Sequence, residues 1–485
     1  MNLNDILKQI SGRADMTYYD NASYVEQWWQ WYKGKVDKFH PYRVYMGRGF
    51  VPMTRFSLGM AKKAAEDWAN LLINEKTDIT LGDEHSQQVL NDIFEGCNFW
   101  RKANDGIEKT FALGGGAFVV SVNDLMADEN GDVITDNGAK VKVSFINGKK
   151  IRPITFEDGD ITECAFVTVG NKKTTIAVHL RDTDGIYKIH NIVCDGDDEN
   201  MLTVRQDDYY VFDTKSTLPW FYVFRPNIAN NIDINSPLGI SIFANAIDLL
   251  KEIDIVFDSY QNEFVLGRKR IFINARSATI TRNGEEVEVF DSNDVAFYVL
   301  PEAESDDGVF IKNDTQNLRV AEHEQALQNL LNLYSYSCGF GTNHYKFNGG
   351  SIATATQVVS ENSDLFRNLK KHEIIIEEAL KTVVKAVIYA VNTFTSESMN
   401  DGGEIQIKFD DSIIEDKQGE MANDRLDVGM GVMSKAEFRA KWYGEDLETA
   451  QRKIDEMSSF TIADNEPYME EEGEGGGDNA DGQNS

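Results

Sequence analysis

The stretch SPLGISIFANAIDLLKEIDIVFDSYQNEFVLGRKR, residues 236–270, contains the pattern on which the fold depends. Ser236 followed by Pro237 supplies an N-cap and a first-turn proline, which predicts that a helix of about 30 residues begins there. Its apolar residues recur at spacings of four and three and form a narrow seam: Ala246, Leu250, Ile253, Phe257, Tyr260 and Phe264. Such a helix is about 45 Å long, so we expect it to pack against other long helices.

The segments after this helix predict a small β-rich unit carried on two helices. Residues 271–312 are rich in β-branched and aromatic side chains, and RNGEE, 282–286, is a hairpin turn signal. Residues 313–338 return to helical spacing in LRVAEHEQALQNLLNLYSYS. The two helices are therefore expected to pair in antiparallel fashion, with the insertion at their far end.

The region before residue 236 predicts helices followed by a sheet. Residues 1–115 have helical spacing, and the aromatic side chains of WWQWYKG, 28–34, are expected in the core. Residues 117–225 change to a period of two with glycine-containing turn signals, which favours an antiparallel sheet. Together with the long helices, this pattern predicts the α+β class.

The C-terminal region predicts one more long helix and a smaller unit. A capping box of Thr354 and Gln357 opens a helical pattern of about 40 residues. A strand, EIQIKFD, and two short helices around SKAEFRAKWYGEDLETAQRKIDEM follow it. Residues 465–485 carry seven acidic and no basic side chains, so we expect a disordered tail.

Size and charge narrow the classes of function. The chain has 485 residues, which exceeds the length at which one core stops growing, so several domains or segments are expected. Its net charge is −32, and such a surface as a whole repels phosphate backbones. The four cysteines are widely spaced, which favours reduced, buried thiols. No run of about 18 apolar residues occurs, so neither export nor a membrane span is expected.

The motifs that would signal enzyme chemistry are incomplete. LGGGAF, 113–118, lacks the Gly-Lys-Ser/Thr of a phosphate-binding loop, so a bend or a close backbone approach is favoured over nucleotide binding. AEHEQAL and KKHEII each lack the second histidine of a zinc hydrolase. We therefore expect no cofactor and no enzymatic activity, although carboxylate pairs without a diagnostic spacing stay possible among 80 acidic residues.

One acidic segment approaches a calcium-binding pattern. Asp128, Asn130 and Asp132 have the spacing of a calcium loop, but Val133 stands where that loop requires glycine. An acidic hairpin turn is the favoured interpretation, and no metal site is predicted.

The order of these segments resembles the portal proteins of long-tailed bacteriophages. The most specific segments are RPNIANNIDINSPLGISIF, 225–243, and TATQVVSENSDLFRNLKKHE, 354–373. The resemblance implies a portal-type subunit, and it assigns the parts of the chain as follows: wing, 1–235; first stem helix, 236–270; clip, 271–312; second stem helix, 313–338; tunnel loop, 339–353; spine helix, 354–400; crown, 401–464; and acidic tail, 465–485.

The resemblance also implies a function. Portal subunits form a ring, usually of twelve copies, at one capsid vertex, through which a terminase motor packages double-stranded DNA that later leaves. The implied partners are further copies of the chain, the terminase, neck or adaptor proteins, scaffold and capsid proteins, and DNA bound without sequence preference. The implied locations are the virion and, during assembly, the host cytoplasm.

Two groups of residues follow as candidate sites. In the tunnel loop, glycines bracket residues expected to contact passing DNA, namely Asn343, His344, Tyr345, Lys346, Phe347 and Asn348. An ordinary connector, and a loop that only obstructs, stay open as alternatives. The basic cluster Arg268, Lys269 and Arg270 is expected either to neutralise the helix end or, with the clip, to dock the motor and neck proteins. A cytosolic hydrolase with an aromatic-lined cleft and unrecognised catalytic carboxylates is the alternative function.

Overall fold

The structure, a computed structural model, describes residues 1–45, 49–127, 133–134, 138–267, 270–274, 279–282, 285–288, 297–300, 311–314, 317–346, 355–410 and 417–463. The chain divides into two compact units, Met1–Asp411 and Ser412–Ser485. Each unit is described by itself.

The helices of the described residues are α1 (Leu3–Ser11), α2 (Ala22–Tyr32), α3 (Met60–Leu72), α4 (Glu84–Cys97), α5 (Phe99–Leu113), α6 (Ile247–Leu266), α7 (Val320–Ser337), α8 (Ala355–Phe394), α9 (Lys417–Met430), α10 (Lys435–Tyr443) and α11 (Leu447–Ala463).

The strands of the described residues are β1 (Pro41–Tyr45), β2 (Phe50–Thr54), β3 (Asp78–Leu81), β4 (Gly116–Asn123), β5 (Met126–Ala127), β6 (Val133–Ile134), β7 (Lys140–Asn147), β8 (Ile151–Glu157), β9 (Asp160–Val169), β10 (Lys173–Arg181), β11 (Tyr187–Asp195), β12 (Thr203–Val204), β13 (Tyr210–Asp213), β14 (Phe221–Phe224), β15 (Arg270–Asn274), β16 (Thr279–Arg282), β17 (Glu285–Glu288), β18 (Phe297–Leu300), β19 (Ile311–Asp314) and β20 (Ile405–Lys408).

The antiparallel sheet predicted for residues 117–225 is confirmed. Strands β8 to β13 form one six-stranded sheet in which β12, β11, β10, β9 and β8 are neighbours in that order and β13 also pairs with β11. A second sheet has the order β14-β4-β7. The amphipathic α1 buries Leu3, Ile6 and Leu7 against Ile176 and Val178 of the first sheet, because its apolar residues recur at three-to-four spacing.

The N-terminal region is only partly helical, which corrects the prediction for residues 1–115. Helices α2 to α5 are present, and Trp28 and Trp31 are buried while Trp29 and Tyr32 are half-buried. Residues between α2 and α3 instead form the antiparallel pair β1–β2. Prolines at strand positions and a glycine-containing connection favour this hairpin over a helix.

The helix expected from Pro237 begins ten residues later, at Ile247. The Ser236 hydroxyl accepts a hydrogen bond from the Leu238 amide at 3.2 Å, which makes a short turn and not a helix start. The chain then runs through the core, where the Ile242 amide donates to the Phe111 carbonyl at 2.8 Å. A helix over residues 237–246 could not follow this path through the core. Helix α6 therefore has only 20 residues and is about 30 Å long.

The glycines of LGGGAF allow the close backbone approach that the sequence favours. Gly114 has a φ of +77°, and a Cβ on it would lie 2.7 Å from the Gly239 carbonyl oxygen. Any side chain at Gly114 would push the 238–243 segment away from the end of α5.

The antiparallel pairing predicted for the two helices that flank the β-rich segment is confirmed for α6 and α7. At the end of α6, Glu263 accepts from the Arg319 guanidinium at 2.8 Å, and Arg319 is the N-cap of α7. The rings of Tyr260 and His323 meet edge to face at 6.0 Å. Leu250 and Ile253 of the seam are buried, whereas Phe264, near the far end, is exposed.

The segment between α6 and α7 is β-rich, as predicted. Strand β15 pairs in parallel with β18 and in antiparallel fashion with β19. Strands β16 and β17 pair with Arg282 opposite Glu285, which is the register that a two-residue hairpin turn requires. The turn residues 283–284 lie outside the described residues.

The long helix α8 has 40 residues, or about 60 Å. Thr354 of its predicted capping box lies outside the described residues. After α8, strand β20 pairs with β3, with Ile407 opposite Ile79. Residues 401–411 therefore pack with the first unit, and the division between units falls after the expected crown boundary at 401.

The second unit is helical in its described part. Helix α10 begins at a capping box of Ser434 and Glu437. Asp424 of α9 accepts from the Trp442 indole at 2.8 Å and pairs with Lys441 at 2.7 Å. Helix α9 is an addition to the two helices that the sequence predicts here.

Candidate functional site

The first half of the predicted tunnel loop leaves α7 at a buried junction. The Tyr334 hydroxyl donates to the Met60 carbonyl at 3.0 Å, and the Ser335 hydroxyl donates to the Gly341 carbonyl at 2.6 Å. Both side chains are fully buried. The loop therefore begins as a fixed extension of α7.

Two further side chains hold the backbone after α7. The Trp68 indole donates to the Cys338 carbonyl at 3.0 Å, and the Asn368 amide donates to the Gly339 carbonyl at 2.9 Å. Gly339 has a φ of +86°, and a Cβ on it would lie 3.3 Å from the Asn368 side chain. Glycine is required here both by the left-handed backbone and by this close contact.

A stack of rings runs from α3 through the loop. The Trp68 and Phe340 rings stack with centroids 4.8 Å apart, and the Phe340 and His344 rings stack at 4.4 Å. The Tyr345 ring meets Phe340 edge to face at 5.7 Å. These contacts join the loop to the core of the first unit.

The expected exposure of Tyr345 to DNA is wrong. Its side chain is only 8% exposed, and its carbonyl accepts from the Gln328 amide at 2.8 Å. Burial, followed by the charge of Asp67, raises the pKa of Tyr345 well above its ordinary value. A large aromatic ring gains more by filling the space beside Tyr334 and Phe340 than by projecting into water.

His344 is partly exposed and is engaged with α3. Its Nε2 lies 3.4 Å from an oxygen of Asp67, which also pairs with Lys63. Burial by itself would raise the pKa of Asp67, but the bonds from His344 and Lys63 leave it below its usual value. Asp67 therefore carries a negative charge that orients the imidazole.

Of the four remaining loop residues expected to contact DNA, the structure describes two. Lys346 is exposed and Asn343 is half-exposed. Phe347 and Asn348 lie outside the described residues. Of all the loop residues expected to contact DNA, the described ones that a ligand can reach are therefore Asn343, His344 and Lys346, which is fewer residues than the sequence indicated.

The basic cluster is described only at its last member. Arg270 is the first residue of β15, where it stands opposite Asp314 in the antiparallel register, and it is half-buried. Arg268 and Lys269 lie outside the described residues.

Helices α6 and α7 expose apolar side chains away from their shared seam. Leu333 is 55% and Tyr336 is 63% exposed on α7, and Ile255 is exposed on α6. Large apolar side chains that stay in water on a helix pair are typical of a surface that another protein covers.

Sequence reasoning missed the residues that anchor the loop. No local signal connects Trp68 or Asp67 to a loop about 270 residues away, or Asn368 to Gly339, which lies 29 residues before it. The described residues contain no group of His, Cys, Asp or Glu side chains that could hold a metal ion. Within the same residues, no helix is long and apolar enough to cross a membrane. All four cysteines are free and buried, as expected.

Comparisons with known proteins identify the family. The family model described as "Phage portal protein, SPP1 Gp6-like" matches residues 18–459. No curated protein sequence matches the chain. Among solved structures, a chain of the "Neck of native GTA particle computed with C12 symmetry" is similar with a TM-score of 0.44 and 10% identity, over 90% of this chain and 97% of that chain. Since the family model covers most of its length, the chain belongs to the phage portal protein family, SPP1 Gp6-like.

Proposed function

We propose that the chain assembles into a ring of twelve copies at one capsid vertex. The terminase packages double-stranded DNA through this ring, the DNA leaves through it, and neck proteins attach to it. The family match over residues 18–459 carries the proposal, because a head–tail connector of this family is a channel-forming subunit. The protein is part of the virion, and it assembles with scaffold and capsid proteins in the host cytoplasm.

The stem supports a closed assembly. Ile255, Leu333 and Tyr336 are apolar yet exposed on α6 and α7. Neighbouring copies related by rotation would cover this surface through heterologous contacts, and such contacts generate a ring when the rotation closes.

The charge of the chain supports a channel through which DNA slides. Twelve copies would carry twelve times −32, or −384. A basic wall would hold the phosphate backbone by releasing its counterions, whereas an acidic wall repels it.

The exposed part of the tunnel loop is the proposed DNA contact. Lys346 and Asn343 face the channel with His344, while Tyr345 fixes the base of the loop. Phe347 and Asn348 complete the contact. One lysine per subunit adds about one phosphate contact, which is weak enough to allow movement.

The β-rich unit is the proposed docking surface. Residues 271–312 lie between α6 and α7 in the sequence, directly after Arg268, Lys269 and Arg270. In this position they contact the terminase during packaging and the neck proteins afterwards. The hydrolase alternative has no support, because the matching family is a structural one.

Sedimentation velocity and negative-stain microscopy of the purified chain test the ring. Twelve subunits of 54.7 kDa predict a particle of twelve times that mass, about 656 kDa, with a central channel. A chain that stays monomeric or dimeric at micromolar concentration would contradict the proposal.

A further inference from the structure

Residues 33–56, which we name the basic hairpin segment, have a charge opposite to that of the chain. The segment contains six basic residues and one acidic residue, in a chain with a net charge of −32. Residues 46–48 lie outside the described residues, and the exposed basic side chains of the described part are Lys33, Lys35, Lys38 and Arg43. None of these four has a carboxylate within ion-pair distance among the residues that the structure describes.

Pairing by itself does not distinguish this segment. Lys62, Lys149 and Lys251 each lie 2.7 Å from a carboxylate, but exposed lysines such as Lys140 and Lys172 have no ion pair within the described residues. The four cations differ from these in being concentrated in one segment of an acidic chain. Such a local excess of positive charge favours an acidic partner outside the subunit.

The basic hairpin segment is held rigidly on α6. The His40 Nδ1 accepts from the Val36 amide at 2.8 Å, so Nε2 carries the proton that it donates to Asp254 at 3.1 Å. Asp254 also accepts from the Leu58 amide at 2.8 Å. Both His40 and Asp254 are buried. The segment is thus positioned in advance, which lowers the entropic cost of docking.

Exposed aromatic rings lie beside the cations. Tyr45 is 62% and Phe50 is 68% exposed, and their rings meet edge to face at 5.4 Å on neighbouring strands. Phe56 is also exposed. An aromatic centre with a charged rim is typical of a protein–protein contact, and it favours a protein surface over a phosphate backbone.

A complementary surface lies on α6 itself. Asp248, Glu252 and Ile255 are exposed at positions that share one helix face, because they are spaced by four and three residues. This face points away from Leu250 and Ile253 of the seam, and it differs from the face on which Asp254 holds the basic hairpin segment. It offers the Glu252 carboxylate, the exposed Asp248 carboxylate, which also pairs with Lys251 of the same helix, and an apolar side chain.

We infer that the basic hairpin segment of one copy docks on the Asp248–Glu252–Ile255 face of α6 in a second copy. The inference rests on the proposed ring. Because donor and acceptor surfaces are different parts of one chain, the contact is heterologous and repeats from copy to copy. The cations neutralise acidic residues that would otherwise repel between neighbouring subunits.

Charge reversal tests the donor surface. The variant with Lys33, Lys35, Lys38 and Arg43 all changed to Glu should raise the concentration needed for ring assembly by about tenfold or more at low salt. The matched control reverses four exposed lysines elsewhere, Lys140, Lys142, Lys172 and Lys173, and has the same change in net charge. Sedimentation velocity over a concentration series reads out both. Equal assembly of the two variants would overturn the inference.

A charge swap tests the acceptor surface. Asp248→Lys with Glu252→Lys should also weaken assembly, and combining it with the four reversals should restore rings at the wild-type concentration. Circular dichroism shows whether each variant folds. Weakening by both changes without restoration in the combined variant would overturn the specific contact.

Two other experimental outcomes would have different meanings for the contact and for the proposed ring. If a fluorescent DNA duplex binds the wild-type ring, and the four reversals abolish that binding without altering ring mass, the segment is a nucleic-acid surface and the inference is wrong. If the wild-type chain forms no rings at all, the proposed function fails and the contact fails with it. Rings that form equally well with reversed charges would leave the proposed function standing and remove only this contact.

Discussion

At the scale of single residues, the start of the loop after α7 is held in place by the side chains on which it packs. Trp68 is fully buried, packs on Phe111, Phe340 and His372, and donates to the Cys338 carbonyl. Trp68 therefore packs in the core of the first unit and also holds the base of the loop. The loop residues that can contact a ligand depend on Trp68 only through the position of that base.

Trp68→Ala should lower the free energy of unfolding by about 3–5 kcal/mol, because it leaves a large cavity and removes the indole hydrogen bond. Trp29→Ala is the matched control. Because Trp29 is half-buried, its replacement should lower the free energy of unfolding by less. Urea denaturation followed by circular dichroism measures both. Equal losses would show that the junction with the loop adds nothing to ordinary burial.

Lys346→Ala should leave folding and ring mass unchanged and lower the length or retention of packaged DNA. The reason is that the side chain is exposed, so its loss would remove a positive charge from the proposed DNA contact. Lys172→Ala, at an exposed lysine of the sheet, is the control. Genomes of full length and normal retention in Lys346→Ala particles would reduce the loop to a connector.

At the scale of elements, the pair of α6 and α7 is stabilised by an ion pair between Glu263 and Arg319. Hydrogen bonds and charge from Arg319 lower the pKa of Glu263 to about 2, from an ordinary value of 4.5. A carboxylate with a lowered pKa stabilises the folded state above its unfolded pKa, and this contribution is lost as the pH falls through the folded pKa.

The thermal midpoint of Glu263→Gln should therefore lie below that of the wild type at pH 6, with a difference that shrinks towards pH 3. Differential scanning calorimetry at several pH values measures this difference. Glu95→Gln, at an exposed glutamate of α4, should show little difference at either pH. A difference in thermal midpoint between Glu263→Gln and the wild type that stays constant with pH would contradict the role assigned to this ion pair.

Strand β20 belongs to the first unit although it follows the long helix. Its pairing with β3 places Ile405 opposite Leu81 and Ile407 opposite Ile79. A chain that ends at residue 411 should keep the thermal midpoint of the first unit, whereas one that ends at residue 400 should melt several degrees lower, because β3 loses its partner strand. Calorimetry of the two truncated chains decides this, and identical midpoints would show that β20 adds no stability.

At the scale of the whole molecule, the acidic tail should be dispensable for assembly. Residues 465–485 contain seven acidic side chains and few apolar ones, so they offer little apolar surface with which to hold neighbouring copies together. A chain that ends at Asp464 should form rings of the same subunit number by sedimentation velocity. Failure to assemble would make the tail structural.

The sequence by itself determined the α+β class, the family and much of the order of the elements, although it missed the β1–β2 pair and helix α9. Periods of two and of three to four residues are local consequences of strand and helix geometry, so the antiparallel sheet, the stem pair and the β-rich insertion could be predicted without coordinates. The glycine-rich turn at 113–118 was likewise interpreted correctly as a close approach, because only glycine lacks the Cβ that would prevent one.

Tertiary structure alone decided where α6 begins, which unit holds β20 and how the tunnel loop is anchored. Ser236 and Pro237 are local helix-start signals, but burial of Leu238, Ile240 and Phe243 against the end of α5 outweighs them. Tyr345 looked like a ligand contact in a polar loop, and it became a core residue because it packs on Tyr334 and Phe340, and Trp68 from the distant α3 stacks on Phe340. Contacts between residues so far apart in sequence leave no local pattern, because a side chain's burial depends on the neighbours that the fold supplies.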